Sequence, residues 1–394
     1  MGRALEQLRA LFFRFFFRLL LVAIAVAEWA CLAWLVRLVG GRPPAVTYLV
    51  APLGFYAFNR WIISRRRPPG PVVRAIVRIY VVAAFTSIFC ALFLALAGIG
   101  WLALLAAGAG PEIRHAYEWG VDIGFATVAG ILLSGYTIGP RRLTISRLTV
   151  TMPGLPASLS GLRIVHLSDL HIGQHLGLAE LADHVARVNA LEPDVICLTG
   201  DLVDRAETCD LAFPTLAGLR ARHGVLVTLG NHDVYAGADL VTASLRQHTD
   251  FTVLRNDRAH IRRNGAALAV LGIDDLGRDW ARGVLEHPAL PPLAAEVQRG
   301  ERFLVLSHRP DCFPQAARLG AGLMLAGHTH GGQLALPAWR GRKPRNLAQF
   351  ISAFDRGVFR DGDATLYVNR GLGFTAQKIR LFTPREIVCI ELRA

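Results

Sequence analysis

Acidic and imidazole side chains follow a short apolar run near the middle of this sequence. The run Ile164–Leu167 leads through Ser168 to Asp169 and His171, which stand one residue apart. A D-x-H pair after a buried strand places two side chains of the metal-ligand type side by side at the edge of a sheet. One such pair is weak evidence, since Asp and His are common in loops and short motifs match by accident.

Four further apolar runs end in the same way, with a ligand-type side chain at the carboxyl end. They are Val195–Thr199 before Asp201, Val225–Leu229 before Asn231, His232 and Asp233, Phe303–Ser307 before His308, and Leu323–Ala326 before His328 and His330. A glycine precedes Asp201, Asn231 and His328, where we expect the chain to turn sharply off its strand. The repetition predicts that these side chains share one site at the strand ends.

The candidate ligands number seven: Asp169, His171, Asp201, Asn231, His308, His328 and His330. Carboxylate, amide oxygen and imidazole together suit Mn²⁺, Zn²⁺ or Fe²⁺, whereas the imidazoles make Ca²⁺ a poor fit. Seven ligands are too many for one tetrahedral ion. They fit two divalent ions that share a carboxylate about 3.5–4 Å apart, activate a water and hold a phosphoryl group.

An α/β domain is expected to position this site, because strand-like runs alternate with segments of helical periodicity. The further strand candidates are Leu143–Val150, Leu268–Gly272, Gln333–Leu336, Thr365–Asn369 and Ile387–Leu392, and the helix candidates are Leu178–Leu191, Leu211–Leu219, Leu240–Leu245 and Leu293–Val297. We place this domain at 161–394, after a linker and first strand at 141–160.

Residues 1–140 have the composition of a membrane domain. The mean hydropathy of the chain is +0.37 with only 19% charged residues, which is unusual for a soluble protein. Apolar segments at about 19–39, 46–63, 79–105 and 121–138 have the length that crosses a bilayer, and predict four transmembrane helices. The first is too long for the apolar core of a cleaved signal peptide.

The charge of the chain favours a membrane over nucleic acid. The net charge is +13, and Lys343 and Lys378 are the only lysines. Arginines cluster before the first apolar segment, between the second and third, and after the fourth, which predicts an inner (plasma) membrane protein with its amino terminus and catalytic domain in the cytoplasm. The six cysteines show no C-x-x-C pair, so neither a disulfide framework nor a thiolate zinc site is expected.

Taken in order, D-x-H, G-D, G-N-H-D, a lone His and G-H-T-H resemble the motifs of the calcineurin-like metallophosphoesterase superfamily. Gly327–Gln333 (GHTHGGQ) and Val368–Gly373 (VNRGLG) are similar to the bacterial YkuE and YaeI type and to the transmembrane proteins with a metallophosphoesterase domain. The resemblance runs from about Leu162 to the carboxyl terminus. It implies a fold of β-sandwich sheets flanked by helices.

The resemblance also implies roles for individual residues. Asp169, His171, Asp201 and His330 would hold the first metal, and Asp201, Asn231, His308 and His328 the second. His232 would contact the phosphoryl oxygen or protonate the leaving group, and Asp233 would orient its ring. An imidazole whose pKa is raised by a neighbouring carboxylate keeps a proton available near neutral pH.

The sequence thus predicts a membrane-anchored hydrolase of phosphomonoester, phosphodiester or pyrophosphate bonds. A lipid or lipid precursor is the favoured substrate, since similar enzymes include UDP-2,3-diacylglucosamine pyrophosphatases of lipid A biosynthesis. Two alternatives stay open: a nucleotide or nucleic-acid phosphodiesterase, and a membrane sensor that binds a phosphorylated ligand without turnover.

A few residues outside the candidate ligand set keep two interpretations. Glu28 either faces the interior of the helix bundle or acts as a functional intramembrane acid. Asn369, Arg370 and Arg380 either reach a substrate phosphate or have structural roles.

Overall fold

The structure is a computed structural model that describes residues 2–64, 70–173, 175–277, 283–338 and 344–394. The chain divides into a helical unit, Met1–Tyr136, and a strand-bearing unit, Thr137–Ala394, which holds every strand described. The arginines predicted to mark the loop after the second apolar segment, at positions 65–67, lie outside the described residues.

The helical unit consists of α1 (Gly2–Leu38), α2 (Thr47–Ser64), α3 (Pro71–Ala106) and α4 (Pro111–Thr137). Within the described residues three segments are long and apolar enough to span a membrane, Phe17–Leu38, Pro71–Ala106 and Pro111–Arg141. The second predicted segment is helical as well, but α2 carries Asn59 and Arg60 near its end and is not among these three. Helices α3 and α4 begin earlier than the apolar runs within them.

A buried polar cluster joins three helices of this unit. Asn59 of α2 donates a hydrogen bond from Nδ2 to Oε2 of Glu28 on α1, at 2.8 Å. Tyr80 of α3 donates from its hydroxyl to Oδ1 of Asn59, at 3.1 Å. Glu28 and Asn59 are both buried, so Glu28 faces the interior of the bundle.

The strand-bearing unit is built on two six-stranded sheets. In spatial order the first contains β1 (Leu143–Thr151), β12 (Arg385–Arg393), β2 (Arg163–Leu167), β3 (Val195–Thr199), β4 (Val225–Thr228) and β5 (Thr252–Val253). The second contains β10 (Gly357–Asp361), β11 (Ala364–Val368), β9 (Ala321–Ala326), β8 (Phe303–Ser307), β7 (Ala266–Ile273) and β6 (Asp257–Arg263).

The site-bearing strands lie parallel to one another within each sheet. β2, β3 and β4 are parallel neighbours in the first sheet, and β8 and β9 in the second. Their carboxyl ends therefore reach a common edge. β1 pairs with β12 at the border of the first sheet, so this segment is part of the strand-bearing unit and not only a linker.

Apolar residues fill the space between the sheets and cover their outer faces. Ile164 and Leu226 of the first sheet pack in one cluster with Leu304 and Leu323 of the second. Helices α5 (Leu178–Asn189), α6 (Cys209–Leu216) and α7 (Asn231–His248) cover the first sheet, and α8 (Leu290–Ala295) and α9 (Phe313–Arg318) the second. Strands covered on both faces read as unbroken apolar runs, which is why the sequence reveals them.

The structure departs from the predicted elements where apolar periodicity is weak. Gln333–Leu336 forms isolated bridges and no continuous strand. The sequence analysis missed β6 and β10, which are edge strands rich in charged residues, and α9, a helix of 6 residues with Pro314 in its first turn. An edge strand needs no continuous apolar run, because one side of it faces solvent.

Candidate metal centre

The structure brings the seven candidate ligands to the common edge of the two sheets. Asp169 and His171 follow β2, Asp201 follows β3, and Asn231 follows β4 in the first sheet. His308 follows β8, and His328 and His330 follow β9, in the second sheet. The site therefore lies between the sheets, with four side chains from one and three from the other.

The backbone at five of these residues has a conformation that is uncommon outside glycine. Asp169, His171, Asp201, His328 and His330 have φ angles between 44° and 69°. A left-handed backbone costs free energy and persists where surrounding contacts fix it. Here the amide of Asp169 donates to Gly200 O at 3.0 Å and that of His171 to Asp201 O at 3.0 Å, which locks the two loops of the first sheet together.

Two of the glycines that precede candidate ligands are required for different reasons. Gly200 has φ +82°, which only glycine adopts without strain. Gly327 needs space, because a Cβ there would lie 1.7 Å from Ser168 Oγ and 2.3 Å from Asp169 Oδ2. The loop after β9 can therefore approach the loop after β2 closely enough to share a site.

Two groups of candidate ligands converge, and Asp201 lies beside both. Ligand atoms of Asp169, His171 and His330 lie within 4.8 Å of one another, and so do those of Asp201, His308 and His328. Asp201 Oδ2 is 3.6 Å from Nε2 of His171 and 3.2 Å from Nε2 of His308. This placement suits a carboxylate shared by two ions.

The donor set fits a pair of cations on three observations. Nε2 of His171 faces Nε2 of His330 at 3.1 Å, and Nδ1 of His328 faces Nε2 of His308 at 3.3 Å. In each pair one ring nitrogen can donate its N–H to the other, or both can offer lone pairs to a cation. Oδ1 of Asn231 is buried and has no hydrogen-bond partner among the described residues. A cation would satisfy these atoms.

Contacts outside the cluster orient two of the imidazoles. His171 donates from Nδ1 to Oδ1 of Asp204 at 2.7 Å, and His308 donates from Nδ1 to the carbonyl of Thr199 at 2.8 Å. Each bond uses one ring nitrogen and leaves Nε2 with its lone pair toward the cluster. Such outer partners hold metal-ligating histidines in the tautomer that binds.

His232 stands at the rim of the cluster, where an incoming substrate can reach it. Its Nδ1 lies 2.8 Å from Oδ1 of Asp204, and its side chain is 33% exposed. Its backbone amide donates to Oδ1 of Asp201 at 2.8 Å. Burial works against a charged ring, yet the hydrogen bond to Asp204 and the charge of Asp201 outweigh it and raise the pKa of His232. The ring therefore retains its proton to higher pH than a free histidine.

The structure gives the contact with the ring of His232 to Asp204, whereas the sequence analysis gave it to Asp233. Asp233 is fully buried, and its carboxylate accepts from the amides of Leu202, Val203 and Gly230 at 2.9–3.1 Å. It ties the loop after β3 to the start of α7. Burial opposes the ionisation of Asp204, but the hydrogen bonds from His171 and His232 outweigh it and lower the pKa of Asp204.

Asp204 is the site residue that the sequence analysis missed. It lies three positions after Asp201 on the same loop, so the pattern Gly-Asp-x-x-Asp was visible. Asp204 does not directly follow a strand, which is where ligand-type side chains were expected. With His171 and His232, Asp204 forms a third group of potential ligand atoms within 4.8 Å.

The three tail residues whose roles were open all make internal contacts. Asn369 donates from Nδ2 to His166 O at 3.0 Å, and Arg370 pairs with Glu386 at 2.8 Å. Arg380 is buried beneath the site and donates to the carbonyls of His330, Arg370, Gly371 and Gly373 at 2.7–3.2 Å. Each therefore has a structural role in the loop that follows β11.

Comparison with known proteins points to one family. Residues 162–332 match the family model of the calcineurin-like phosphoesterases. The metallophosphoesterase YkuE of Bacillus subtilis is 29% identical over 279 residues, which are 68% of this chain and 94% of YkuE. The zebrafish (Danio rerio) transmembrane protein with metallophosphoesterase domain is 32% identical over 251 residues, 61% of this chain and 55% of that protein.

A third relative carries a named activity. The UDP-2,3-diacylglucosamine pyrophosphatase LpxG of Chlamydia trachomatis is 28% identical over 305 residues, which cover 63% of this chain and 88% of LpxG. The match to the zebrafish protein spans little more than half of that relative's length. The family model covers β2 to the loop after β9, and therefore every candidate ligand of the centre. Over this segment, which is less than half of its length, the chain is similar to the calcineurin-like phosphoesterases.

Proposed function

We propose that this protein hydrolyses phosphoester or pyrophosphate bonds of a lipid or lipid precursor, and that the seven candidate ligands hold two divalent ions for this reaction. The observation that carries the proposal is that Asp201, which is grouped with His308 and His328, also lies 3.6 Å from His171 of the other group. Asp169, His171, Asp201 and His330 would hold one ion, and Asp201, Asn231, His308 and His328 the other. Mn²⁺, Zn²⁺ and Fe²⁺ suit this donor set.

The ions, when bound, supply an activated water and neutralise charge on the phosphoryl group. The chain's own residues do the rest. His232 would donate a proton from Nε2 to the departing oxygen, because its Nδ1 is held by Asp204 and its side chain is one third exposed at the rim of the site. Asp204 orients two rings at once, that of His232 and that of His171. Asp233 keeps the loop after β3 in place through three backbone amides.

The activity is tested with the full chain in detergent, a bis-aryl phosphate and added Mn²⁺. We expect release of the aryl alcohol by the wild type, and in Asp201→Ala a loss of at least about a thousandfold, as for removal of a group central to charge stabilisation. Asp363→Ala, which removes an exposed carboxylate paired with Arg302, is the matched control and retains activity. Equal activity in Asp201→Ala and wild type would refute the proposed centre.

The substrate class is supported by the likeness to LpxG and by the apolar helices. A tethered active site meets lipid-linked phosphates at high effective concentration. The proposal is tested by comparing turnover of UDP-2,3-diacylglucosamine, phospholipids, nucleotides and single-stranded nucleic acid. Preference for the acylated substrates supports it. Cleavage of nucleic acid with a steep salt dependence would point instead to the nuclease alternative.

We further propose that α2 also crosses the bilayer, so that four helices place both ends of the chain in the cytoplasm at the inner membrane. A helix of 18 residues is about 27 Å long, close to the thickness of the hydrocarbon core. The polar Asn59 is buried against Glu28, which lowers the cost of carrying it into the bilayer. Reporter fusions after Ala394 test the orientation. A periplasmic signal would exclude it.

A further inference from the structure

A cavity lies inside the helical unit, among the three helices that are long and apolar enough to span a membrane. It has a volume of about 290 Å³, close to that of the smaller pockets that hold ligands in proteins. Trp34 of α1, Leu94 and Trp101 of α3, and Val121 of α4 supply its apolar wall. We call it the Trp34 cavity. Neither the metal centre nor the proposed hydrolysis accounts for it.

Two glycines of α3 shape the Trp34 cavity. A Cβ at Gly100 would lie 2.2 Å from the hydroxyl oxygen of Tyr117, so a side chain there would push α4 away from α3. That hydroxyl donates to the carbonyl of Ala97 at 2.7 Å and holds the two helices together. Gly98 lines the cavity, and a Cβ there would meet no atom of the described residues within 4 Å. A larger side chain at Gly98 would therefore enter open space.

Charged side chains of both signs meet at the Trp34 cavity. The guanidinium of Arg37 lies 3.2 Å from Oδ1 of Asp122 and 3.7 Å from Oε1 of Glu118. The side chains of Arg37 and Glu118 are 40% and 38% exposed, so this part of the cavity is open to its surroundings. Arg37 precedes the last residue of α1, where the apolar span also ends. Its guanidinium can therefore reach the level of the lipid head groups.

Two hydrogen-bond donors at the Trp34 cavity can serve a ligand. The indole Nε1 of Trp34 is buried and has no hydrogen-bond partner among the described residues. A ligand oxygen would satisfy this N–H. The guanidinium of Arg37 lies 3.8 Å from the centre of the Trp34 ring. A guanidinium carries five N–H donors, so the pairing with Asp122 leaves Arg37 able to bind a ligand oxygen as well.

These features select among possible occupants. From Leu94 to Trp101 the apolar wall rises about 10 Å along α3, which suits part of an acyl chain. The two donors suit a lipid phosphate. A head group with only a negative charge would be repelled by Glu118 and Asp122. An ammonium on the same head group would instead donate charge-assisted hydrogen bonds to these carboxylates, which a trimethylammonium cannot do because it has no N–H.

We propose that the Trp34 cavity binds a zwitterionic phospholipid with a primary ammonium, of the phosphatidylethanolamine class. Its phosphate accepts hydrogen bonds from Arg37 and from the indole of Trp34. Its ammonium donates to Glu118 and Asp122, and an acyl chain fills the space beside Gly98. The inference concerns the helical unit alone and does not depend on the proposed hydrolysis.

The first test measures retained lipid. The full chain in a mild detergent with a metal chelator is mixed with phosphatidylethanolamine, phosphatidylcholine or phosphatidylglycerol of identical acyl chains. Native mass spectrometry then measures the lipid bound to the chain. Gly98→Leu fills the cavity. The matched control is Gly130→Leu, because Gly130 lies on α4 away from the cavity lining and a Cβ there would also meet no described atom within 4 Å.

We expect the wild type and Gly130→Leu to retain phosphatidylethanolamine, and Gly98→Leu to bind it at least about tenfold more weakly, since an added side chain takes the space of the acyl chain. Equal retention of the three lipids, or equal retention by the two glycine variants, would reveal only the general lipid around the helices and overturn the proposal. A preference for another head group would also overturn it. A wild-type dimer that Gly98→Leu dissociates would overturn it in favour of a second copy of the chain.

A second variant leaves the cavity open and changes the head-group contacts, so it decides the matter even if Gly98→Leu does not fold. Glu118→Gln combined with Asp122→Asn removes both negative charges. We expect the preference for phosphatidylethanolamine over phosphatidylcholine to disappear. The control is Glu112→Gln, an exposed acid in the first turn of the same helix, which should keep the preference. An unchanged preference in the double variant would refute the proposed contacts.

Thermal unfolding provides an independent readout. A ligand that binds only the folded protein raises its unfolding temperature. Phosphatidylethanolamine should therefore raise the unfolding temperature of the wild type and of Gly130→Leu more than phosphatidylcholine does. It should have no such advantage in Gly98→Leu. An equal rise with both lipids in the wild type would count against a specific site.

Discussion

The protein buries carboxylates in both of its units, and their surroundings differ. Glu28 lies on the regular helix α1 and accepts a hydrogen bond from Asn59. Asp201 lies on a left-handed residue, and the imidazoles of His171 and His308 turn their Nε2 atoms toward it. The comparison teaches that burial alone does not mark a functional acid. A functional acid is instead marked by strained backbone together with several lone pairs that converge on one point.

The largest effect on stability is expected beneath the metal centre. Arg380→Met removes the guanidinium donor from four carbonyls, those of His330, Arg370, Gly371 and Gly373. The carbonyls of His330 and Gly371 keep one backbone donor each, from Gln333 and Glu386. We expect the free energy of unfolding of the strand-bearing unit to fall by about 3 kcal/mol. Denaturant unfolding followed by tryptophan fluorescence measures it. Arg360→Met, at an exposed position of β10, is the control, and an equal loss there would show that Arg380 has no special role.

Asp204→Asn tests the role of the carboxylate that orients the ring of His232. We expect kcat to fall by about a hundredfold, the usual range for impaired general acid catalysis. The hydrogen bond to Asp204 raises the pKa of His232, so the substitution should lower that pKa. The alkaline limb of the pH profile should then begin at a lower pH than in the wild type. The pH profile of kcat measures this shift.

The control for Asp204→Asn is Asp210→Asn. Asp210 also contacts a histidine, His248, at 3.2 Å, but it lies on α6. This variant should leave the profile unchanged. If the alkaline limb of Asp204→Asn coincides with that of the wild type, His232 is not the proton donor.

Asp233→Asn tests the role that the structure gives to the neighbouring acid. One of its three amide partners, at Leu202, Val203 or Gly230, would face an NH₂ group in place of oxygen. We expect a loss of about 1–2 kcal/mol in the free energy of unfolding. The turnover per folded molecule should fall less than in Asp204→Asn. A larger fall would return the orienting role to Asp233.

The smallest effect is expected in the helical unit. In Glu28→Gln the amide oxygen still accepts the hydrogen bond from Asn59, so we expect less than about 1 kcal/mol of change in stability and unchanged hydrolysis of a soluble ester. Thermal unfolding in detergent and the aryl phosphate assay measure both. A loss of activity in this variant would show that Glu28 is a functional acid, and that the Glu28 and Asp201 clusters do not differ in this respect.

Much of the strand-bearing unit was predictable because its strands are covered on both faces. The five apolar runs that end in ligand-type residues all appear as strands. Six of the seven predicted ligands fall into two groups of neighbouring ligand atoms, and Asn231 follows β4 at the same edge. Periodicity and strand order suffice for this, because parallel strands end at one edge. The edge strands β6 and β10 were not predicted, because charged residues interrupt their apolar pattern.

The finer details of the site depend on contacts that sequence spacing does not encode. Asp204 and Asp233 both lie near His232, but only the path of the loop after β3 decides which one meets the ring. Likewise, Arg380 was a plausible phosphate ligand from its type alone. The folded tail instead turns it inward to four carbonyls. In both cases the local geometry of irregular backbone determines which partner the side chain contacts.

The origin of the candidate ligands in two different sheets has a mechanical consequence. Asp169, His171, Asp201 and Asn231 belong to one layer, and His308, His328 and His330 to the other. Cations bound by ligands from both sheets would cross-link the two layers and oppose their movement relative to each other. In the metal-free protein this edge of the two sheets should then unfold locally before the rest of the unit. Cellular proteases would therefore cleave the metal-free protein faster than the metal-bound one.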